Sequence, residues 1–225
     1  MMKIREFLAV AFVLFVNANA YGGIINNGDF QSCDFQHWQK DTDGGGDPGA
    51  TGDFSINNNA GDCSAAISVD LLEGASAFSA NTLFTALDLT VASGDLRLSF
   101  DWDFSGRDDG SLFADNFFVS LGNGTGNLFN ANGEHGHLIE ATSSYGSGSF
   151  SVLLDSSFYN QSDWTLDFSV QGGWNANSSL SSTLNINNVS LTSVMASVPE
   201  PGTLIILLIA ITGLMTQQRI NAIRG

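Results

Sequence analysis

Residues Leu96-Arg97-Leu98-Ser99-Phe100-Asp101-Trp102-Asp103-Phe104 alternate apolar and polar without a fault. A β-strand turns successive side chains to opposite faces, whereas a helix repeats about every 3.6 residues. This alternation dictates a strand with Leu96, Leu98, Phe100, Trp102 and Phe104 on one buried face and Asp101 and Asp103 on the polar one. Trp164-Thr165-Leu166-Asp167-Phe168-Ser169-Val170 repeats the pattern. Further strands are predicted over 65–71, 83–91, 116–121, 149–154 and 183–191, separated by Gly, Asn, Asp and Ser clusters that suit turns. No stretch between them has a helical period. Many short, half-buried strands predict an all-β chain, an antiparallel sandwich or barrel. In the last strand Leu184 and Ile186 share one phase, and Val189 and Leu191 follow one residue late. A bulge at Asn187-Asn188 would return all four to the core.

The two ends break this pattern. Met1 to Ala20 begins with Lys3 and Arg5, continues through the apolar run Phe7 to Val16, and closes on Ala18-Asn19-Ala20. Positive start, apolar middle and small-x-small cleavage site define a secretory signal peptide, removed after Ala20 by signal peptidase. At the other end Val198-Pro199-Glu200-Pro201-Gly202 precedes the apolar stretch 203–216, with Arg219 and Arg224 beyond it. That stretch, extended by its flanking residues, is expected to form a transmembrane helix with the arginines inside. The two prolines stop a helix from running back into the body. The body then spans 21–194 and the linker with its terminal signal spans 195–225.

Pro199-Glu200-Pro201, an apolar helix and terminal Arg219 and Arg224, behind a signal peptide, resemble the PEP-CTERM sorting signal. The resemblance implies an exosortase as processing partner, cleavage near Pro199-Glu200-Pro201, and an exopolysaccharide-producing Gram-negative source. It implies transient anchoring in the inner membrane, then release to the outer surface or extracellular matrix. The spread of Arg219 and Arg224 departs from the usual tight arginine cluster.

Charge narrows the partners. The chain has 7 Lys and Arg against 23 Asp and Glu, a formal charge of −16. Trimming removes Lys3, Arg5, Arg219, Arg224, Glu6 and Glu200, which leaves Lys40, Arg97 and Arg107 against 21 acids, about −18. Nucleic acid is excluded as a partner, because it needs a basic face. Such a body repels anionic polymers and lipids and collects cations, and touches a membrane only through its C-terminal segment. Cys33 and Cys63, the only cysteines of an exported chain, are expected to form a disulfide.

The edges of the body carry a second resemblance. Ile24-Ile25-Asn26-Asn27-Gly28-Asp29-Phe30-Gln31, followed by Phe35 and Trp38, is similar to the opening of galactose-binding-like jelly rolls. Leu184 to Leu191 is similar to their closing strand. The resemblance implies a jelly-roll sandwich with these two segments side by side. It also implies a structural Ca²⁺ between them, at positions that here read Gln31, Asn187 and Asn188. These amides either ligate Ca²⁺ without charge or hydrogen-bond one another and close the sandwich without metal.

Other candidates come from the residues alone. Asp41, Asp43 and Asp47 in a glycine-rich loop, and Asp101, Asp103, Asp108 and Asp109 around a turn, are candidate Ca²⁺ ligands, or simply solvated acidic loops. Glu134-His135-Gly136-His137, with Glu140 nearby, is either a partial Zn²⁺ site or a polar loop entering a strand. Trp174, Tyr145 and Tyr159, set among Gly, Asn and Ser, are candidate carbohydrate platforms; Trp174 also continues the phase of Trp164 and fits the core equally. Trp38, Trp102 and Trp164 are expected in the core. No nucleophile elbow, phosphate loop or dinucleotide fingerprint is present, and no carboxylate pair stands out, so no catalytic residue is named. The expected function is non-enzymatic: an exosortase-sorted surface or matrix protein, structural or adhesive in exopolysaccharide. The alternative is a carbohydrate-binding module with a defined sugar site, and an extracellular hydrolase ranks below both.

Overall fold

The alternating segments form strands because their apolar residues share one side and can be covered by a second sheet. A computed structural model describes residues 25–44, 53–69, 79–90, 95–106, 114–173 and 181–194. The signal segment, Pro199, Glu200, Pro201, the apolar stretch 203–216, Arg219, Arg224, Trp174, Asp47, Asp108 and Asp109 lie outside these residues, as does the side chain of Asp43. Among the described residues the strands are β1 (Gln39–Gly44), β2 (Phe54–Asn59), β3 (Asp62–Ser68), β4 (Ser79–Ala86), β5 (Asp95–Gly106) and β6 (Asn116–Gly122). They continue with β7 (Leu128–Phe129), β8 (Ile139–Thr142), β9 (Gly146–Leu153), β10 (Thr165–Gln171) and β11 (Ser182–Val194). A single 3-10 turn, Ser156–Phe158, is the one helical element described.

The strands make two antiparallel sheets. The front sheet runs β1-β4-β10-β6-β7, with β8 also paired to β6; the back sheet runs β2-β3-β11-β5-β9. The chain crosses repeatedly from one sheet to the other, so the fold is a jelly-roll sandwich, as the sequence predicts. Leu96, Leu98, Phe100 and Phe104 are buried and Trp102 is half-buried. Leu166, Phe168 and Val170 face them from β10. Aromatic contacts lock the sheets together: Phe100 meets Phe168 edge-on at 5.0 Å, and Phe117 packs against Trp102 at 5.0 Å and Phe104 at 4.9 Å. Trp38 is buried between Phe30 and Phe168. Trp164 is half-buried, edge-on to both Phe129 and Phe158.

The phase slip in β11 is a bulge. Its register against β5 shifts between Asn187 and Ser190, Asn188 takes φ 53°, and Leu184, Ile186, Val189 and Leu191 are all buried. The opening turn docks on this bulge, where Val189 N–H donates to Gly28 O at 2.8 Å. A Cβ on Gly28 would lie 2.0 Å from Val189 O, so only glycine permits this approach. The first and last parts of the body are therefore side by side.

The mutual amide network is corrected. Asn187 Oδ1 accepts from Asn188 N–H, but Asn188 Nδ2 donates to Asp101 Oδ2 and Gln31 Nε2 donates to Asp62 Oδ1. The reason is the Cys33–Cys63 disulfide, with Cα atoms 5.4 Å apart, which draws the turn after Gly28 toward the β2–β3 hairpin.

Candidate functional site

The outward side of the front sheet carries an aromatic and polar mixture unlike a plain solvated face. Along β10, Leu166, Phe168 and Val170 enter the core, so Thr165, Asp167, Ser169 and Gln171 point outward. Register assembles them into rows. Gln39, Phe84, Asp167 and Ser120 cross the sheet in one row; Asp41, Thr82, Ser169 and Phe118 form the next; Ala80, Gln171 and Asn116 follow. Phe84 and Phe118 alternate with core residues and stand outside the core cluster. The Phe118 ring lies 4.8 Å from that of His137, which covers this end of the face. Thr82 and Ser169 share a hydroxyl hydrogen bond of 2.8 Å.

Asp167 is the unusual member. It is half-buried, and its Oδ1 is shut off from water with no hydrogen-bond partner. Burial pushes its carboxyl above the ordinary carboxylate range, and the Thr165 hydroxyl pulls it partly back. Gly122 makes room for it: a Cβ there would lie 2.6 Å from both Asp167 Oδ2 and Thr165 Oγ1. The folded state thus binds the Asp167 proton more tightly than the unfolded chain, so this group favours folding as pH falls through its raised folded pKa toward 3.8. Asp167→Asn is expected to raise the urea midpoint at pH 7, with the gain shrinking on acidification. Midpoints measured between pH 7 and 4 check this.

Asp101 behaves oppositely. Its carboxyl is held below the usual range by the Ser149 hydroxyl first and Asn188 second. Its stabilisation is present above 3.8 and lost as pH falls through its lowered folded pKa.

Ser120 Oγ and His137 Nδ1 are 2.7 Å apart, the spacing of a nucleophile and its base. Ser120 is fully buried, however, so no substrate carbon can reach its hydroxyl. The pair fastens the His137 loop to β6. His135 is turned away and stacks on Phe129 at 4.7 Å, so the two histidines do not converge. Among the described residues no group of three or more His, Cys, Asp or Glu is arranged to hold a metal ion. Asp41 is exposed on β1. Asp101 accepts from Ser149 and Asn188, and Asp103 from Asn185, which engages both in a polar ladder across the back sheet.

The tyrosines fall on other parts of the molecule. Tyr145 is 41% exposed, its ring 5.2 Å from Phe104 and its hydroxyl 2.9 Å from Ser182 Oγ. Tyr159 is half-buried; its hydroxyl accepts from Leu96 N–H at 3.1 Å and donates to Leu154 O at 3.0 Å. That geometry ties the start of β5 to the end of β9. Phe84, Phe118 and Asp167 were not singled out from the sequence. The available signal was two phenylalanines at the polar phase of their strands.

No protein-family model matches the chain, and no curated protein matches it. Several solved structures do. TmCBM61, solved in complex with β-1,4-galactotriose, is 12% identical with a TM-score of 0.47, over 79% of this chain and 100% of that one. The CBM22-1 xylan-binding domain of Paenibacillus barcinonensis Xyn10C is 14% identical with a TM-score of 0.42, over 80% of this chain and 100% of that one. A family 11 carbohydrate-binding module of Clostridium thermocellum, in complex with a β-1,3-1,4-mixed-linked tetrasaccharide, is 12% identical with a TM-score of 0.41, over 79% of this chain and 99% of that one.

Proposed function

We propose that this chain is an exported glycan-binding module, without catalysis of its own, displayed at a bacterial surface or in its matrix. The observation that carries the reading is the front-sheet face. A sugar ring offers apolar C–H surface and several hydroxyl donors, and it needs an aromatic platform beside fixed acceptors. Phe84 supplies the platform, and the half-buried Asp167 and Thr82 stand beside it as polar groups. This binding role is preferred to a purely structural or adhesive one, because a passive face has no need of an aromatic ring beside a half-buried carboxylate. The Cys33–Cys63 disulfide supports an oxidising, extracytoplasmic setting.

Phe84→Ala is expected to weaken binding to the best ligand on a glycan array by about tenfold, about 1.4 kcal/mol. The Tyr145→Ala change, in the β8–β9 connection with its ring against Phe104, is expected to leave binding within about twofold. Equal binding by wild type and Phe84→Ala would move the site elsewhere.

The terminal signal completes the reading. Exosortase is the proposed processing partner, acting at Pro199-Glu200-Pro201, with exopolysaccharide the proposed surrounding. Replacing these three residues with Ala is expected to leave the precursor in the inner membrane fraction. Unchanged release on fractionation would reduce the segment to a plain anchor.

A further inference from the structure

Resting on the glycan-binding reading, we propose that the front face selects amine-bearing glycans and seats a protonated sugar amine beside Asp167. Among the described residues the face holds a carboxylate with no Lys or Arg beside it. Asp167 is flanked across the sheet by Phe84 on β4 and Ser120 on β6, neither of them charged. Its Oδ1 is closed to water without a hydrogen-bond partner, so a ligand would meet the carboxylate on the open side of this half-buried residue.

The two described basic residues are engaged elsewhere, and Arg107 lies outside the described residues. Lys40 Nζ sits 3.8 Å from the Phe35 ring centroid, with Phe54 at 5.5 Å. Arg97 donates to Ser151 on the back sheet. Among the described residues no other Lys or Arg remains. A carboxylate withdrawn from water without a counter-charge gains most from a ligand that brings one, because charge-assisted hydrogen bonds are roughly twice as strong as neutral ones. Phe84 beside it would meet the same ammonium through its ring face. The chain's charge of −16 draws a polycation inward and turns away uronate-rich polymers. An amine-bearing glycan therefore fits the face in both local and overall charge.

The test uses a β-1,4-linked glucosamine tetramer and its fully N-acetylated counterpart. Titration calorimetry on the full secreted body is done at a pH where the amine is protonated. The free amine is expected to bind about tenfold more tightly than the acetylated tetramer. Raising salt from 0.05 to 0.5 M should erode that preference. In Asp167→Asn, which keeps the size and an acceptor oxygen, the ratio is expected to fall to about one. A ratio that persists in Asp167→Asn, or equal binding of both tetramers by wild type, overturns the amine selection. If both tetramers fail while a neutral glycan on the array binds through Phe84, the amine selection fails and the glycan-binding reading stands. If the array is also blank, both fall.

Discussion

Replacing Cys33 and Cys63 together with Ser is expected to lower folding stability by about 3–4 kcal/mol. The disulfide closes a loop with a sequence separation of 30. In the chain-entropy description, that closure removes conformations from the unfolded state and leaves the folded contacts untouched. Cys63 is fully buried on β3, while Cys33 is exposed in a turn with φ 53°. The bridge therefore ties an irregular, polar opening segment to a regular strand. Gln31, Ser32 and Asp34 there make mostly local hydrogen bonds, so little else holds this part of the segment in place. Urea midpoints of the double variant and the wild type under oxidising conditions measure the effect. A loss below about 1 kcal/mol would mean that the Gly28–Val189 contact and the buried Phe30 ring hold the turn without the bridge.

The second large effect is expected from Phe168→Ala, at about 3–5 kcal/mol. Phe168 is fully buried in the middle of β10, itself central in the front sheet. Its ring meets Phe100 of the back sheet at 5.0 Å and Trp38 at 6.1 Å. Truncation leaves a cavity at the meeting of both sheets and the opening segment, where rigid rings on all sides limit collapse. Thermal unfolding of the variant should show a single transition at lower temperature. Phe118→Ala on the same sheet faces outward and should cost less, because Phe118 stands outside the core cluster.

How much was legible in the sequence follows from what each strand buries. β5 and β10 were readable residue by residue, because a sandwich-core strand must alternate. β6 was read over 116–121 and ends one residue later. The bulge at Asn187-Asn188 was legible for the same reason: a one-residue slip would have thrown Val189 and Leu191 to the wrong face. β1 and β2 were missed, since Gln39–Gly44 and Phe54–Asn59 are mostly polar edge strands whose pairing is decided by their neighbours. β7 and β8 are too short to carry a period. β4 begins at Ser79, ahead of the expected start at Leu83, and ends at Ala86; Leu87 and Leu89 remain buried beyond it. The front face was illegible because it is made by register. Phe84, Asp167 and Ser120 are far apart in sequence, and only strand pairing puts them in one row. Tyr145 and Tyr159 were the sequence candidates because they sit among small and polar residues, yet Tyr159 is half-buried with its hydroxyl bonded to backbone.

The long last strand has a mechanical consequence. β11 runs from Ser182 to Val194 between β3 and β5, antiparallel to both, and the chain continues from its end. A pull directed along β11 from its Val194 end strains in shear its ladder to β5 and, over Thr183–Ile186, its ladder to β3, so these bonds bear the load together instead of one by one. A load applied there meets far more resistance than one applied across an edge strand, which would peel.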